Sequence, residues 1–308
     1  MLIRKICLVP RMELMQSLFN YNTINVSLVK STRTMFVKLN KADDNHNINM
    51  EMLFEFESLF AWLSNKVEIH SVFITSEDCN NNKTHIFSEG YNSEKFNEYN
   101  QNQIQKLTEK LSHLVQSMQH LPQTIIFDLR EGASNLACEF AVGADIRISH
   151  NNCKFNFNHN RLGLTPSSGG MSTLALLVGQ MHARNFLLSG KEITTDIAMN
   201  SGFIFETYTT ATRTNSISEL LSGISKQAPV QRIQTKLGIF DLERVNFEQS
   251  MKVEKQISKA SMMSEDWKKI TPEKSEDTTD NLKDFVPAKS MSYAVKLSLV
   301  TDEPELIN

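Results

Sequence analysis

The sequence predicts an α/β fold, with a mostly parallel sheet covered by helices and a helical appendage after it. Three observations carry this reading. Between residues 26 and 206, apolar runs of strand length alternate with helical stripes of ten or more residues, the order that βαβ crossovers produce. Beyond about Ser216 the apolar positions recur only at helical spacing. The 308 residues are 40% hydrophobic and 22% charged, enough to bury a full core, and no uncharged apolar run approaches the roughly 18 residues of a membrane-spanning helix.

In chain order, residues 26–30 and 34–39 alternate apolar and polar as two short paired strands. A turn-rich run, 40–49, ends on Asn49, a good N-cap for a helix whose Met52, Leu53, Phe56, Leu59, Phe60 and Leu63 form one stripe. Residues 72–75 read as a strand, 80–83 as a loop and 86–92 as an apolar-to-turn junction. A second helical stripe joins Ile104, Leu107, Leu111, Leu114, Val115 and Met118. A buried strand at 124–129, a helix near 135–142, a strand at 145–149 and a loop at 155–166 follow. Helical patterns then cover 169–188 and 194–201, with a strand at 203–206. The apolar positions of the appendage are Ile224, Val230, Ile233, Leu237, Leu242, Val245 and Phe247, and residues 271–284 read as a solvated acidic linker. The chain thus divides into a leader (1–22), an α/β core (23–215), a helical segment (216–270) and a polar tail (271–308), of which 291–299 can pack back.

Net charge is −3, from 32 basic and 35 acidic side chains, which excludes a general nucleic-acid surface. The four cysteines, Cys7, Cys79, Cys138 and Cys153, form no C-x-x-C pair, so neither a zinc site nor a disulfide framework is predicted and a reducing compartment, the cytoplasm, fits best. Pro10 and Arg11 interrupt the short apolar run at the N-terminus, unlike a secretory signal.

From Glu131 to Glu206 an ordered set of motifs appears. It comprises Asp145-Ile146-Arg147-Ile148-Ser149, Leu162-Gly163-Leu164-Thr165-Pro166-Ser167-Ser168-Gly169-Gly170, Leu188-Ser189-Gly190-Lys191-Glu192-Ile193 and Ala198-Met199-Asn200-Ser201-Gly202-Phe203. Outside that span lie Leu39-Asn40-Lys41, Phe87-Ser88-Glu89-Gly90-Tyr91-Asn92 and Ser264-Glu265-Asp266. Together they resemble the crotonase superfamily, the enoyl-CoA hydratase and isomerase fold. The resemblance implies ββα units wound in a spiral, C-terminal helices that contribute to trimer or hexamer contacts, and a pocket for an acyl-CoA or acyl-carrier-protein thioester. No cofactor is implied other than coenzyme A as part of the substrate.

The chemistry implied is stabilisation of a thioester enolate by two backbone amides, here those of Tyr91 and Leu136, with Gly90 beside them. Leu136 follows Asn135, so its amide opens a helix, where unpaired N–H groups favour an anion. Glu139 matches one of the two glutamates with which the family's hydratases activate water; His159 stands at the other. Glu131 and Leu136 stand at glycine positions of the family pattern, and Asn92 at an aspartate position. Alternatives stay open. Glu139 either moves a proton or pairs with Arg147 or Arg161, and His159 is either its partner or an ordinary loop histidine. Ser168 either touches the substrate or, with Ser167, caps the next helix. Lys41, with Lys38, either meets phosphates or has no role, and Cys138 and Cys153 read as small buried residues. Two functions follow: an enolate-forming acyl-CoA enzyme, with hydration the default by resemblance and isomerisation the easier fit to a single base, or a scaffold that binds a CoA ester or a protein without turnover.

Overall fold

A computed structural model describes residues 12–14, 19–78, 85–91, 98–263 and 268. Asn92, the 264–266 motif and the tail 271–308 lie outside the described residues. The main sheet has seven strands: β1 (Met12–Leu14), β2 (Ile24–Val29), β3 (Thr34–Leu39), β4 (Ser71–Ser76), β5 (Thr124–Asp128), β7 (Ile146–His150) and β10 (Glu206–Tyr208), in that spatial order. The pairs β1–β2 and β2–β3 are antiparallel and every later pair is parallel. Three very short strands, β6 (Gly132–Ser134), β8 (Lys154–Asn156) and β9 (Ile193–Thr194), make a second sheet. The helices are α1 (Met50–Leu63), α2 (Gln101–His120), α3 (Leu136–Val142), α4 (Ser172–Leu188), α5 (Thr195–Asn200), α6 (Arg213–Ser225) and α7 (Pro229–Met262).

The sheet sorts its side chains by strand alternation. Val72, Ile74, Ile125 and Phe127 enter the large core with α1, α2 and α3, whereas Phe73, Ile126 and Ile148 form a smaller cluster with Leu221 and Ile224 of α6. Asn49 caps α1 as its sequence position predicts, accepting from the Met52 amide at 2.9 Å. The stripe of α2 is buried from Ile104 to Met118. At the start of α7, Arg232 donates to the Pro122 carbonyl at 2.9 Å, and Lys236 donates to the Met118 and Gln123 carbonyls and to Asp145, each at 2.8 Å. The appendage is thereby tied to the end of α2.

Several elements differ from the expectation. The leader contributes β1, an edge strand of the main sheet. Pairing in the last strand starts at Glu206 opposite Ile148, because Phe203 is drawn instead into an aromatic group with Phe155 and Phe157. The 155–166 loop contains most of β8 and a 3₁₀ turn, Asn158–Leu162. In the appendage Phe247 is buried, while Val230, Leu242 and Val245 are exposed, so the helical stripe is only partly inward.

At the carboxyl ends of β4, β5 and β10 a buried aspartate organises the chain. Asp128 accepts from the Thr75 hydroxyl at 3.0 Å, the Tyr208 hydroxyl, the Arg130 amide at 3.2 Å and the Arg213 guanidinium at 2.5 Å. Asp128→Ala leaves the Tyr208 hydroxyl without its acceptor and Arg213 with only a long contact to the Thr75 hydroxyl at 3.4 Å. We expect a loss of about 3 kcal/mol, the low end for a broken buried pair because the Arg213 side chain keeps 32% exposure. Urea unfolding with an unchanged slope and a lowered midpoint would report it.

Candidate active site

The site is assembled where the 86–91 segment runs beside β6. Ser88 bridges Ala133 in parallel register, with the Ser134 amide donating to the Ser88 carbonyl at 3.1 Å. Past that bridge the 88–91 segment comes up against the start of α3. Gly90 has φ +88°, and a Cβ there would stand 2.3 Å from the Ser134 carbonyl and 2.9 Å from the Leu136 nitrogen. Only glycine allows this approach.

The first turn of α3 keeps its donors open. Asn135 occupies the N-cap position, yet its side chain makes no capping bond, and its buried Oδ1 has no partner among the described residues. The amides of Leu136 and Ala137 make no hydrogen bond among the described residues either. Of the residues where the family pattern has glycine, Glu131 needs none, since the positive φ values fall on Arg130 and Gly132. In the 135–137 run the positive φ falls on Asn135, at φ 49° and ψ −115°. Such a conformation in a non-glycine residue costs about 1–3 kcal/mol and persists where its surroundings fix it. Here the Asn135 amide donates to the Asn156 carbonyl at 2.9 Å, and its carbonyl accepts from the Glu139 amide at 3.0 Å. The Leu136 side chain belongs to the main core.

Glu139, one turn into α3, is fully buried. Its Oε2 accepts from the amides of Ser167 at 2.9 Å and Ser168 at 2.5 Å, with a longer contact to Gly170 at 3.4 Å. Its Oε1 lies 2.6 Å from Nε2 of His159, also buried. That contact is close but not an aligned hydrogen bond, and His159 Nδ1 has no partner among the described residues. The structure therefore joins Glu139 and His159 and rejects Arg147 as the partner of Glu139: Arg147 donates instead to the carbonyls of Phe203, Ala144 and Ala141. The Arg161 side chain lies outside the described residues.

Ser168 does not cap α4. Its hydroxyl is buried and donates to the Thr108 carbonyl at 3.0 Å. The capping role falls to Glu254 of α7, which the sequence reading missed. Lys41 sits in a turn closed on His46, and that turn packs on the 88–90 segment through Ile48 N to Gly90 O at 2.9 Å and Glu89 N to Asn45 O at 3.2 Å. Lys38 is paired with Glu77 at 3.4 Å. Burial pushes the Cys138 thiol up, and Cys153 is likewise a buried free thiol.

A spiral of strands and helices around a parallel sheet, with a small second sheet carrying the site, defines a crotonase-fold α/β protein. An enoyl-CoA hydratase structure from Bacillus halodurans superposes with a TM-score of 0.72 at 18% identity, covering 80% of this chain and 98% of that one. An enoyl-CoA hydratase/isomerase structure from Pseudoalteromonas atlantica gives 0.69 at 17% identity, over 80% and 94%. In sequence, a short-chain-enoyl-CoA hydratase of Clostridium acetobutylicum is 25% identical over 206 residues, 67% of this chain and 77% of its own length. A 1,2-epoxyphenylacetyl-CoA isomerase of Escherichia coli is 26% identical over 114 residues, 37% of this chain and 44% of its own. The Enoyl-CoA hydratase/isomerase family model matches residues 30–277, and the chain belongs to that family, within the crotonase superfamily. Among the described residues no helix is long and apolar enough to cross a membrane.

The burial of the site is open to titration. Desolvation, then the charge of Glu139, push the Tyr91 phenol well above its ordinary value of 10.0. Desolvation and Asp128 do the same to Tyr208. Both raised groups stabilise the fold fully below pH 10, and this contribution is lost as pH rises further, because the unfolded chain ionises first. In alkaline titration followed at the phenolate absorbance, these two tyrosines are expected to ionise only with unfolding. Reversible ionisation of every tyrosine in the native state would contradict the burial.

Proposed function

We propose that this chain is an acyl-CoA thioester enzyme that forms an enolate, with the amides of Tyr91 and Leu136 holding the oxyanion and Glu139 with His159 moving the proton. The observation that carries the reading is the 2.6 Å approach of His159 Nε2 to Glu139 Oε1, one helical turn from the open amides of α3. Two preorganised amides in a dry site stabilise a developing enolate by roughly 3–4 kcal/mol each. The base removes a proton beside the thioester carbonyl, charge collects on the oxygen, and the proton returns to carbon. Such a step needs no added water.

Within the class, relocation of a double bond fits this geometry better than hydration. A hydratase must hold a water between two acid–base groups, and here Glu139 Oε2 is already taken by backbone amides. The arm carrying the acyl group is that of CoA or of an acyl-carrier protein, which share pantetheine. Lys41 is taken to meet the polar end of that arm, a role supported by its turn packing against the 88–90 segment. Free, buried Cys138 and Cys153 support a reducing compartment such as the cytoplasm.

A second reading, a scaffold that binds a CoA ester or a protein without turnover, is favoured by one feature: both acid–base groups are shut from solvent, at 0% and 2% side-chain exposure. Incubation with a panel of acyl-CoA thioesters in heavy water separates the two. Deuterium entry at the α-carbon that drops about 10²–10⁴-fold in Glu139→Gln, and measurably in His159→Ala, is the expected result. No exchange on any thioester by the folded protein would establish the scaffold reading.

Self-association belongs to the same proposal. Ile239, Leu242 and Val245 of α7 are 64%, 85% and 65% exposed, an apolar strip that a second copy would cover. Sedimentation equilibrium is expected to give a trimer or hexamer; a monomer at micromolar concentration would remove this part.

A further inference from the structure

The turn before α4 is gripped from both sides by carboxylates. Six consecutive amides are divided between them: those of Ser167, Ser168 and Gly170 point to Glu139, and those of Gly169, Met171 and Ser172 point to Glu254. The Glu254 contacts are 3.0, 3.2 and 2.9 Å, and Ser172 adds its hydroxyl. Two glycines let the backbone thread this gap. A Cβ on Gly170 would meet Glu139 Cγ at 2.9 Å, and Gly169 holds φ +101°.

Glu254 comes from α7, more than eighty residues away in sequence, and is 1% exposed. It lies on the buried stripe Phe247, Met251, Glu254, Ser258 and Met262, spaced by three and four. The ordinary occupant of such a stripe is apolar. A charge there is costly unless donors meet it, and the four donors of the 169–172 turn do so. Desolvation, then the nearness of Glu139, push the Glu254 carboxyl up, while its bonds to Ser172 and Met171 pull it back. The two carboxylates feel each other across the turn.

We propose that Glu254 is a positioning residue for the Glu139–His159 pair: by fixing amides 169, 171 and 172 it sets where amides 167, 168 and 170 hold the Glu139 carboxylate. This rests on the reading of Glu139 as the proton-transfer group. Without Glu254 the turn keeps one carboxylate, its register against Glu139 loosens, and the approach to His159 opens. A misplacement of about 1 Å at an acid–base group costs about 10²-fold in rate.

The test compares Glu254→Gln with Lys236→Met, a variant that weakens the docking of the same helix at its other end and touches nothing in the site. Glutamine retains one acceptor and presents an NH₂ to donors that need a second. In the exchange assay Glu254→Gln is expected to lower kcat about 10- to 100-fold with KM within twofold, whereas Lys236→Met leaves kcat unchanged. The ring ¹⁵N shifts of His159 in histidine-labelled protein, read without substrate, are expected to move in Glu254→Gln and to hold in Lys236→Met. If Glu254→Gln does not fold, Ser172→Ala removes one donor and is expected to move the same signals the same way by less. Unmoved His159 shifts, or equal effects from the two helix variants, would overturn the proposal. Moved shifts with no exchange in the native protein would uphold the positioning and remove the enzymatic reading alone.

Discussion

A buried carboxylate is the constraint on which the rest of the site depends. Taken out of water without donors, an ionised carboxyl would cost more than a fold of this size can offset. Glu139 is fully buried, so something had to bring N–H groups to it, and the something is the 167–170 backbone. From that requirement follow the glycines at 169 and 170, the placement of α4 and the second carboxylate on α7 that secures the far side of the same turn. The appendage is therefore part of the site's construction.

The other side of the candidate site rests on a different device, strand register. Ser88 paired with Ala133 fixes the offset of two segments that lie 45 residues apart, and Gly90 lets the 88–91 segment come close to the Leu136 nitrogen. Asn135 takes the strained backbone that starts α3, and its side chain leaves the first-turn donors alone. A capping asparagine would have taken one of those amides. Strain at one residue and open donors at the next two are thus one arrangement.

Much of this was legible in the sequence, for a stated reason in each case. The stripe from Met52 to Leu63 and the one from Ile104 to Met118 repeat at helical spacing over enough turns to be unambiguous, and Asn49 stands where a cap must. The strands β6, β8 and β9 have two or three residues each, too few for alternation to show. Glu139 and His159 could be named as candidates, but no local pattern tells that one meets the other and not Arg147, because that is decided by where Phe203 and the 141–144 carbonyls stand. Ser168 was misread since a serine before glycines is a natural cap, and only the fold shows α2 offering it a carbonyl. Glu254 had a signal, an acid in the register of Phe247 and Met251, and its partners lie too far off in sequence to be inferred.

The departure at position 159 has a physical reading of its own. With glutamate there, three carboxyl groups, at 139, 159 and 254, would crowd around six amides that two of them already occupy. Like charges sharing a dry site force protons onto the group with fewest donors. An imidazole adds no negative charge and can either donate to Glu139 or accept from it, so histidine fits where a third carboxyl would not. One oxygen of Glu139 is anchored by the 167 and 168 amides, and the other lies against the imidazole. The imidazole at 159 thus lets Glu139 and Glu254 be buried on the two sides of one turn without a third negative charge beside them.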